Sequence, residues 1–361
     1  MVDSIRIEWL TDMDSVDAIA HRWKQLAAVT AKRTLFSCYE WVSVWYRHYG
    51  AYYGYPLVGV ASDNARVVAI FPLVFRQATF GKIPVRLAEF AGFNAEAGEL
   101  LVAPGYDAVV GALVSSLLEQ NFVDIVALNG VEKVHPLQSA LNPNNSKGWY
   151  KIERQQDCYA VVDLKGGFEG YCQSLKSKLR NNLKRQRKKI ETVGAWRVET
   201  CGRDASCAEH LSVLDRVFAI YDRSWKAASG GVLSDLHRDY YRELISQFAQ
   251  QNMADTALLQ IDGADVAFIV CLVEGNVYYD VKVSYDENFA ALSPGIFLMH
   301  NYLQYVAGQG GVSVVSHGNR AYKKNWATAF VPRERVYLFR NNLKGRLANF
   351  SKFRLERYLP V

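Results

Sequence analysis

The chain has 361 residues, half of them hydrophobic and 13% aromatic, enough to fill sizeable cores and to exclude global disorder. Basic side chains number 42 and acidic ones 36, a net charge of +6. That excess is local: Lys176 to Lys189 alone holds eight basic residues and no acid, which excludes the general basic coat of a nucleic-acid-binding protein. At roughly 150 residues per domain, two domains are expected. The six cysteines (Cys38, Cys158, Cys172, Cys201, Cys207, Cys271) are scattered without a Cys-x-x-Cys pair, the pattern of reduced thiols and not of a zinc site. Met1 to Leu10 carries Asp3, Arg6 and Glu8 and does not read as a signal peptide. The longest apolar runs, Val67 to Phe75 and Val266 to Val273, fall short of the roughly 18 residues that span a bilayer. A soluble, cytoplasmic protein is expected.

In chain order, Ser37 to Tyr49 reads as an aromatic helix with Ser37 as its N-cap. Pro56 to Ala61 and Val67 to Phe75 read as strands joined through Ser62-Asp63-Asn64. Arg86 to Gly92, a loop at Asn94 to Gly98, an apolar helix from Ala108 to Gln120 and a buried strand from Val123 to Leu128 complete the first half. The turn formers Asn142 to Gly148 mark the linker, so the expected domains are 1–150 and 151–361. The second half opens with a strand at Tyr159 to Asp163 and one long basic helix, Phe168 to Val193, stopped by Gly194. Helices Ala208 to Ala227 and His237 to Gln251 follow. Thr256 to Ile261, Val266 to Val273 and Val277 to Tyr285 then alternate with period two around Asp262-Gly263 and Glu274-Gly275-Asn276, an antiparallel meander. A helix from Ile296 to about Ala307 and a strand at Val312 to Val315 close the pattern. Both halves share an element order, without a residue-level repeat.

Three places can carry chemistry. Ser293-Pro294-Gly295 starts a helix whose first-turn N–H groups and dipole favour an anion, with Gly295 allowing close approach; equally, Ser293 is simply the N-cap and Pro294 the first helical residue. Alternation along Val277 to Tyr285 puts Tyr278, Asp280, Lys282 and Ser284 on one face and Val277, Tyr279, Val281, Val283 and Tyr285 on the other. If the first face lines a cleft, Asp280 is a candidate base; Tyr285 or Tyr279 is a candidate acid for a departing thiolate. The polar loop His317 to Trp326 offers Lys323 to a developing oxyanion. The helix face of Arg180 and Lys184 either is solvated or meets an anionic substrate, RNA or lipid. The chain lacks a Gly-x-Ser-x-Gly elbow, a phosphate-binding Gly-Lys-Ser/Thr loop, a zinc helix motif and Gly-x-Gly-x-x-Gly.

Four stretches, Phe36 to Tyr46, Tyr171 to Glu191, Leu292 to Gly311 and Gly318 to Trp326 with its Tyr322-Lys323 pair, resemble the CelD/BcsL-type acetyltransferases of the GNAT superfamily, relatives of the FemAB aminoacyltransferases. The resemblance implies an α/β fold of two tandem GNAT-like domains, each a mixed sheet flanked by helices, with the working site in or beside the second. It implies an acyl-CoA pyrophosphate, acetyl-CoA or another, at Leu292, Ser293, Gly295, Ile296 and Phe297, although Phe297 stands where the superfamily's motif usually has a small residue. Val314 stands where members often carry an acid, so the amine proton is expected to leave to Asp280, to water or with the substrate's own assistance. The resemblance further implies Tyr285 as the acid and Lys323 on the substrate's carbonyl or phosphate. Arg180, Lys184, Trp225, Lys282, His317, Asn319 and Tyr322 are the expected substrate contacts. The expected activity is acyl transfer from CoA to the amine (or hydroxyl) of an amino sugar or glycan precursor in exopolysaccharide or cell-envelope biosynthesis, without a metal. The alternatives are a FemAB-like transferase using aminoacyl-tRNA, and a non-catalytic scaffold of a polysaccharide assembly.

Overall fold

The computed structural model describes residues 5–30, 34–92, 99–131, 136–140, 148–228, 234–318 and 320–355. The elements of the first part are β1 (Ile5–Leu10), α1 (Met13–Ala18), α2 (Ala20–Val29), α3 (Tyr39–Tyr53), β2 (Tyr55–Asp63), β3 (Arg66–Phe80), β4 (Ile83–Phe90), β5 (Leu101–Val102), α4 (Val109–Glu119), β6 (Ile125–Val131), α5 (Pro136–Ala140) and β7 (Trp149–Asp163). Then come α6 (Gly167–Ser174), α7 (Ser177–Val193), β8 (Trp196–Cys201), α8 (Cys207–Asp222), α9 (Trp225–Ala228), α10 (Asp235–Ala249), β9 (Ala254–Ile261), β10 (Ala264–Glu274) and β11 (Val277–Tyr285). The chain continues through α11 (Pro294–Gly308), β12 (Ser313–His317), β13 (Ala329–Arg340) and α12 (Leu343–Phe350).

Two compact units form: Met1–Gln156 with Pro332–Val361, and Asp157–Val331. The division expected at residue 150 falls at 156/157, and the last segment, expected in the second domain, packs with the first unit. The reason is β13, which pairs antiparallel with β6 from Glu334↔Val131 to Phe339↔Ile125 and puts Tyr337 and Phe339 into a core with Phe80, Val85 and Leu87. In this unit β1, β2, β3 and β4 pair antiparallel in that order, whereas β4 and β6 run parallel, joined by a crossover through α4. Helix α3 buries Trp41, Trp45 and Tyr46. It begins at Tyr39 and not at Ser37, because Ser37 turns its hydroxyl back to the Thr34 carbonyl (2.7 Å) and gives no cap. The Asn94 to Gly98 loop and Asn142 to Lys147 of the linker lie outside the described residues.

The second unit holds the sheet β7–β12–β11–β10–β9–β8, antiparallel except for the β11–β12 pair. Alternation along β10 sends Ala267, Ile269, Cys271 and Val273 into a core with α6, α7 and α11. The intervening Phe268, Val270 and Leu272 are equally buried, on the side of α8 and α10. The long basic helix is in fact two: the chain breaks at Leu175-Lys176 between α6 and α7. Likewise the expected helix Ala208 to Ala227 divides into α8 and α9.

The alternation expected along β11 fails at one residue. Val270 pairs with Lys282 but Cys271 with Asp280, so Val281 is an extra, bulged residue. Tyr278 joins the α11 core, and beyond the bulge Val283 and Tyr285 pack against that same core. Lys282 is sent to the other side, its Nζ 4.4 Å from the ring centre of Tyr221 on α8 and 4.5 Å from that of Tyr241 on α10. Asp280 and Lys282 therefore do not share a face.

Candidate active site

The site begins where two strands part. β11 and β12 pair in parallel from Val277↔Ser313 to Asp280↔Ser316, and β11 then continues alone on that side to Tyr285. At the fork, the buried Ser316 hydroxyl donates to Asp280 Oδ2 and accepts from Lys323 Nζ at 2.7 Å; Lys323 also donates to the His317 carbonyl. Withdrawal from water raises the Asp280 pKa, against the opposing pull of Lys323, the Ser316 hydrogen bond and Lys226.

Beyond the fork lies a cavity of about 250 Å³. Its walls are the end of β11 (Val283, Ser284, Tyr285), the start of α11 (Ser293, Gly295, Ile296, Met299), Trp225 and Lys226 of α9, Phe268 and Ile269, Ala290, and Tyr322 and Trp326 after β12. Tyr322 (42% exposed) and Trp225 (50% exposed) form its water-facing rim, while Trp326 is buried. Lys226 Nζ donates to the Val283 carbonyl at 2.6 Å, and burial lowers its pKa. Ser284 is buried, and its hydroxyl has no hydrogen-bond partner among the described residues.

An ion pair aims the α9 wall. Arg223 follows α8 and donates from Nε to Asp286 Oδ2 at 2.6 Å, while its carbonyl accepts from the Glu287 N–H at 3.0 Å. The chain just before Trp225-Lys226 is thereby fixed to the residues just after β11. The start of α11 is made differently from expectation. Ser293 occupies the N-cap position in the left-handed region (φ 51°, ψ 51°) without a side-chain cap. Its carbonyl accepts from the Ile296 and Phe297 N–H groups at 3.2 and 3.3 Å. The Ile296 amide is therefore not offered to a ligand; the Gly295 N–H, second in the helix after proline, lies outside the helical ladder.

Of the residues expected from sequence, Trp225, Tyr285, Ser293, Gly295, Ile296 and Tyr322 stand together on the cavity wall. Asp280 and Lys323 sit at the fork behind it. Phe297 belongs to the core, edge-on to Trp196 at 4.9 Å, and Leu292 packs half-buried against the same core. Lys282 lies between its two tyrosines, where burial brings its pKa down to about 7. His317 meets Tyr159 edge-on at 5.3 Å. Arg180 turns back to the carbonyls of Gln173 (3.2 Å) and Leu175 (2.6 Å) and holds the α6–α7 break together. Lys184 is exposed on α7, and Asn319 lies outside the described residues. Lys226 and Ser284 were not among the expected residues. Ser284 belongs to the β11 alternation visible in the sequence; Lys226 carries no sequence signal, since it comes to the cavity through the Arg223–Asp286 pair.

Residues 177–324 match the family model of the acetyltransferase (GNAT) domain, a span that contains every wall residue of the cavity except Trp326. The chain is an acyltransferase with the GNAT-superfamily fold. A crystal structure of FemX matches it with a TM-score of 0.59 and 11% identity, over 92% of this chain and 98% of that one. The C-terminal domain of a putative lysylphosphatidylglycerol synthetase from Agrobacterium fabrum matches with 0.57 and 14% identity, over 93% and 95%. A conserved protein of unknown function from Bacteroides thetaiotaomicron matches with 0.56 and 9% identity, over 89% and 97%. At these identities the likeness is one of fold. No curated protein is similar to the chain in sequence. Among the described residues there is no metal-ligating group of three His, Cys, Asp or Glu, and no helix long and apolar enough to cross a membrane.

Proposed function

We propose that the chain is an acyl-CoA-dependent N-acyltransferase, able in principle to acylate oxygen, whose donor thioester lies in the cavity beyond the β11–β12 fork. The observation that carries this reading is the meeting of Gly295, Tyr285, Ser284 and Lys226 on one small cavity. The α11 N-terminus, with the Gly295 amide, is the seat for the donor's diphosphate. The orphaned Ser284 hydroxyl is satisfied by a polar group of the donor. An acceptor amine attacks the thioester carbonyl, and negative charge develops on the carbonyl oxygen in reach of the Lys226 ammonium. As the carbon–sulfur bond breaks, Tyr285 gives its proton to the thiolate, and the amine proton leaves to water or towards Asp280. Much of the rate comes from holding the two reactants together in a site with little water. Lys323, the oxyanion partner expected from the sequence, serves here to hold Asp280.

The acceptor we place among amino sugars and other glycan precursors. That placement, and the CelD/BcsL-type kinship, rest on the sequence resemblance in Phe36 to Tyr46, Tyr171 to Glu191, Leu292 to Gly311 and Gly318 to Trp326. A second reading, aminoacyl transfer from tRNA, is favoured by one observation: all eight basic residues from Lys176 to Lys189 are exposed. FemX and the lysylphosphatidylglycerol synthetase domain lend it a shared fold.

Calorimetric titration separates the two. Saturable binding of CoA and acetyl-CoA, at least about tenfold weaker in Gly295→Ala, supports the first reading. Absence of CoA binding at millimolar concentration, together with salt-sensitive tRNA binding lost in Lys184→Glu with Arg187→Glu, overturns it in favour of the second. Thiol release from acetyl-CoA across a panel of amino sugars then identifies the acceptor.

A further inference from the structure

Helix α12 is built with two unlike faces. Gly345, Ala348 and the following Ser351 are its buried, small side. A Cβ at Gly345 would collide with the Arg340 carbonyl, so the helix lies close against the end of β13. The opposite side carries Leu343 (75% exposed), Leu347 (45%) and Phe350 (49%), spaced by four and three and hence on one stripe. A helix at a protein surface usually turns such a stripe inward; this one turns glycine and alanine inward and leucine and phenylalanine to water.

The surroundings of the stripe are cationic. From Arg335 to Leu355 the sequence contains six basic residues and no acid. Arg346 and Arg354 are exposed beside the stripe. Lys82, in the β3–β4 turn, is brought to the same place because its N–H donates to Ser351 Oγ at 2.9 Å, and its side chain is exposed. Lys344, one of the six, is already taken by Asp124 at 2.7 Å and is not offered to a partner.

We propose that this face seats on an anionic phospholipid surface, with Leu343, Leu347 and Phe350 entering the acyl boundary and Lys82, Arg346 and Arg354 meeting the headgroup phosphates. The combination of an exposed apolar stripe and a cationic margin is what such a surface recognises. It argues against a second copy of the chain as the occupant, since a two-fold contact would bring two like-charged margins together. The proposal is independent of the acyl donor, because none of these residues lines the cavity.

Vesicle flotation tests it. The full chain is expected to float with vesicles of phosphatidylcholine and phosphatidylglycerol, about tenfold or more better than with phosphatidylcholine alone, and to be released by high salt. The triple variant Leu343→Ser, Leu347→Ser, Phe350→Ser, all at exposed positions, is expected to lose flotation with unchanged circular dichroism and CoA binding. A second variant, Lys82→Gln with Arg346→Gln and Arg354→Gln, is expected to lose the preference for phosphatidylglycerol. Failure of the wild type to float, equal flotation of the triple variant, or indifference to phosphatidylglycerol each overturns the proposal. So does a dimer in sedimentation velocity that the triple variant abolishes, which would make a second copy the occupant.

Discussion

Lys323 Nζ lies 2.7 Å from Ser316 Oγ, and through that hydroxyl a buried ammonium is coupled to the Asp280 carboxylate at the point where β11 and β12 part. Removing the cation strands the anion. Lys323→Met is expected to destabilise the protein by about 3 kcal/mol, with Asp280→Asn in the same chain restoring a large part. The sign of the pH dependence follows from Asp280, whose folded pKa is already raised and rises further without Lys323. A carboxyl raised on folding contributes stability at low pH that is lost as pH rises, so the Lys323→Met deficit is larger at pH 7 than at pH 4. Urea unfolding of the four-member cycle at both pH values measures it. A deficit independent of pH and unrelieved by Asp280→Asn would mean that Lys323 acts elsewhere.

What could be read from the sequence was what local geometry determines. The meander from Thr256 to Tyr285 was legible because its turns, Asp262-Gly263 and Glu274-Gly275, leave few alternatives, and Asp262, Gly263 and Gly275 do adopt positive φ. Ser293-Pro294-Gly295 was legible as a helix start for the same reason. The faces of β11 were not, since a bulge at Val281 inverts everything after it and depends on the register with β10. The break at Leu175-Lys176 contains neither glycine nor proline; Arg180 makes it tenable by binding the exposed carbonyls of α6. Lys226 was invisible because its position is a tertiary fact, set by Arg223 and Asp286 far apart in the chain. β13 was missed because Pro332 and the charges Arg333 to Arg335 interrupt its alternation.

Gly295 separates folding from binding. A Cβ there would meet only Tyr285 Cδ1, at 3.5 Å, an ordinary contact. Gly295→Ala is therefore expected to keep or slightly raise stability, by up to about 1 kcal/mol as in other helical glycines. The added methyl group crowds the diphosphate seat, so acetyl-CoA affinity should fall at least about tenfold. A thermal melt and a titration on the same sample decide it. Unchanged affinity would remove the α11 N-terminus from the donor site.

Ser293 is held in the left-handed region without a side-chain cap in return. An L-residue there costs roughly 1 kcal/mol that glycine does not. Ser293→Gly is expected to stabilise the chain by about that amount, partly offset by the greater freedom of the unfolded glycine. A urea midpoint shifted upward with an unchanged slope is the expected result. A midpoint shifted downward would show that the hydroxyl on the cavity wall does structural work.

Asp255 is the buried acid whose pH signature is simplest to isolate. It is fully buried at the start of β9, with Tyr302 Oη donating to Oδ1 at 2.7 Å and Tyr305 Oη to Oδ2 at 3.2 Å. Burial raises its pKa to about 6, although both tyrosine hydrogen bonds and Arg203 pull it down. The folded value exceeds the unfolded one, so this group's stability contribution is fully present below about pH 4 and is lost as pH rises to 6. Asp255→Asn abolishes that loss but forces one tyrosine hydroxyl from donor to acceptor, which costs about 1 kcal/mol. At pH 4 the variant is expected to be less stable than the wild type. The difference should then climb by about 2–3 kcal/mol between pH 4 and 6 and stay level above, leaving the variant more stable at pH 7. Subtracting wild type from variant at each pH removes the titration of the other carboxylates. A difference flat from pH 4 to 7 would mean that Asp255 is already ionised in the folded chain throughout this range.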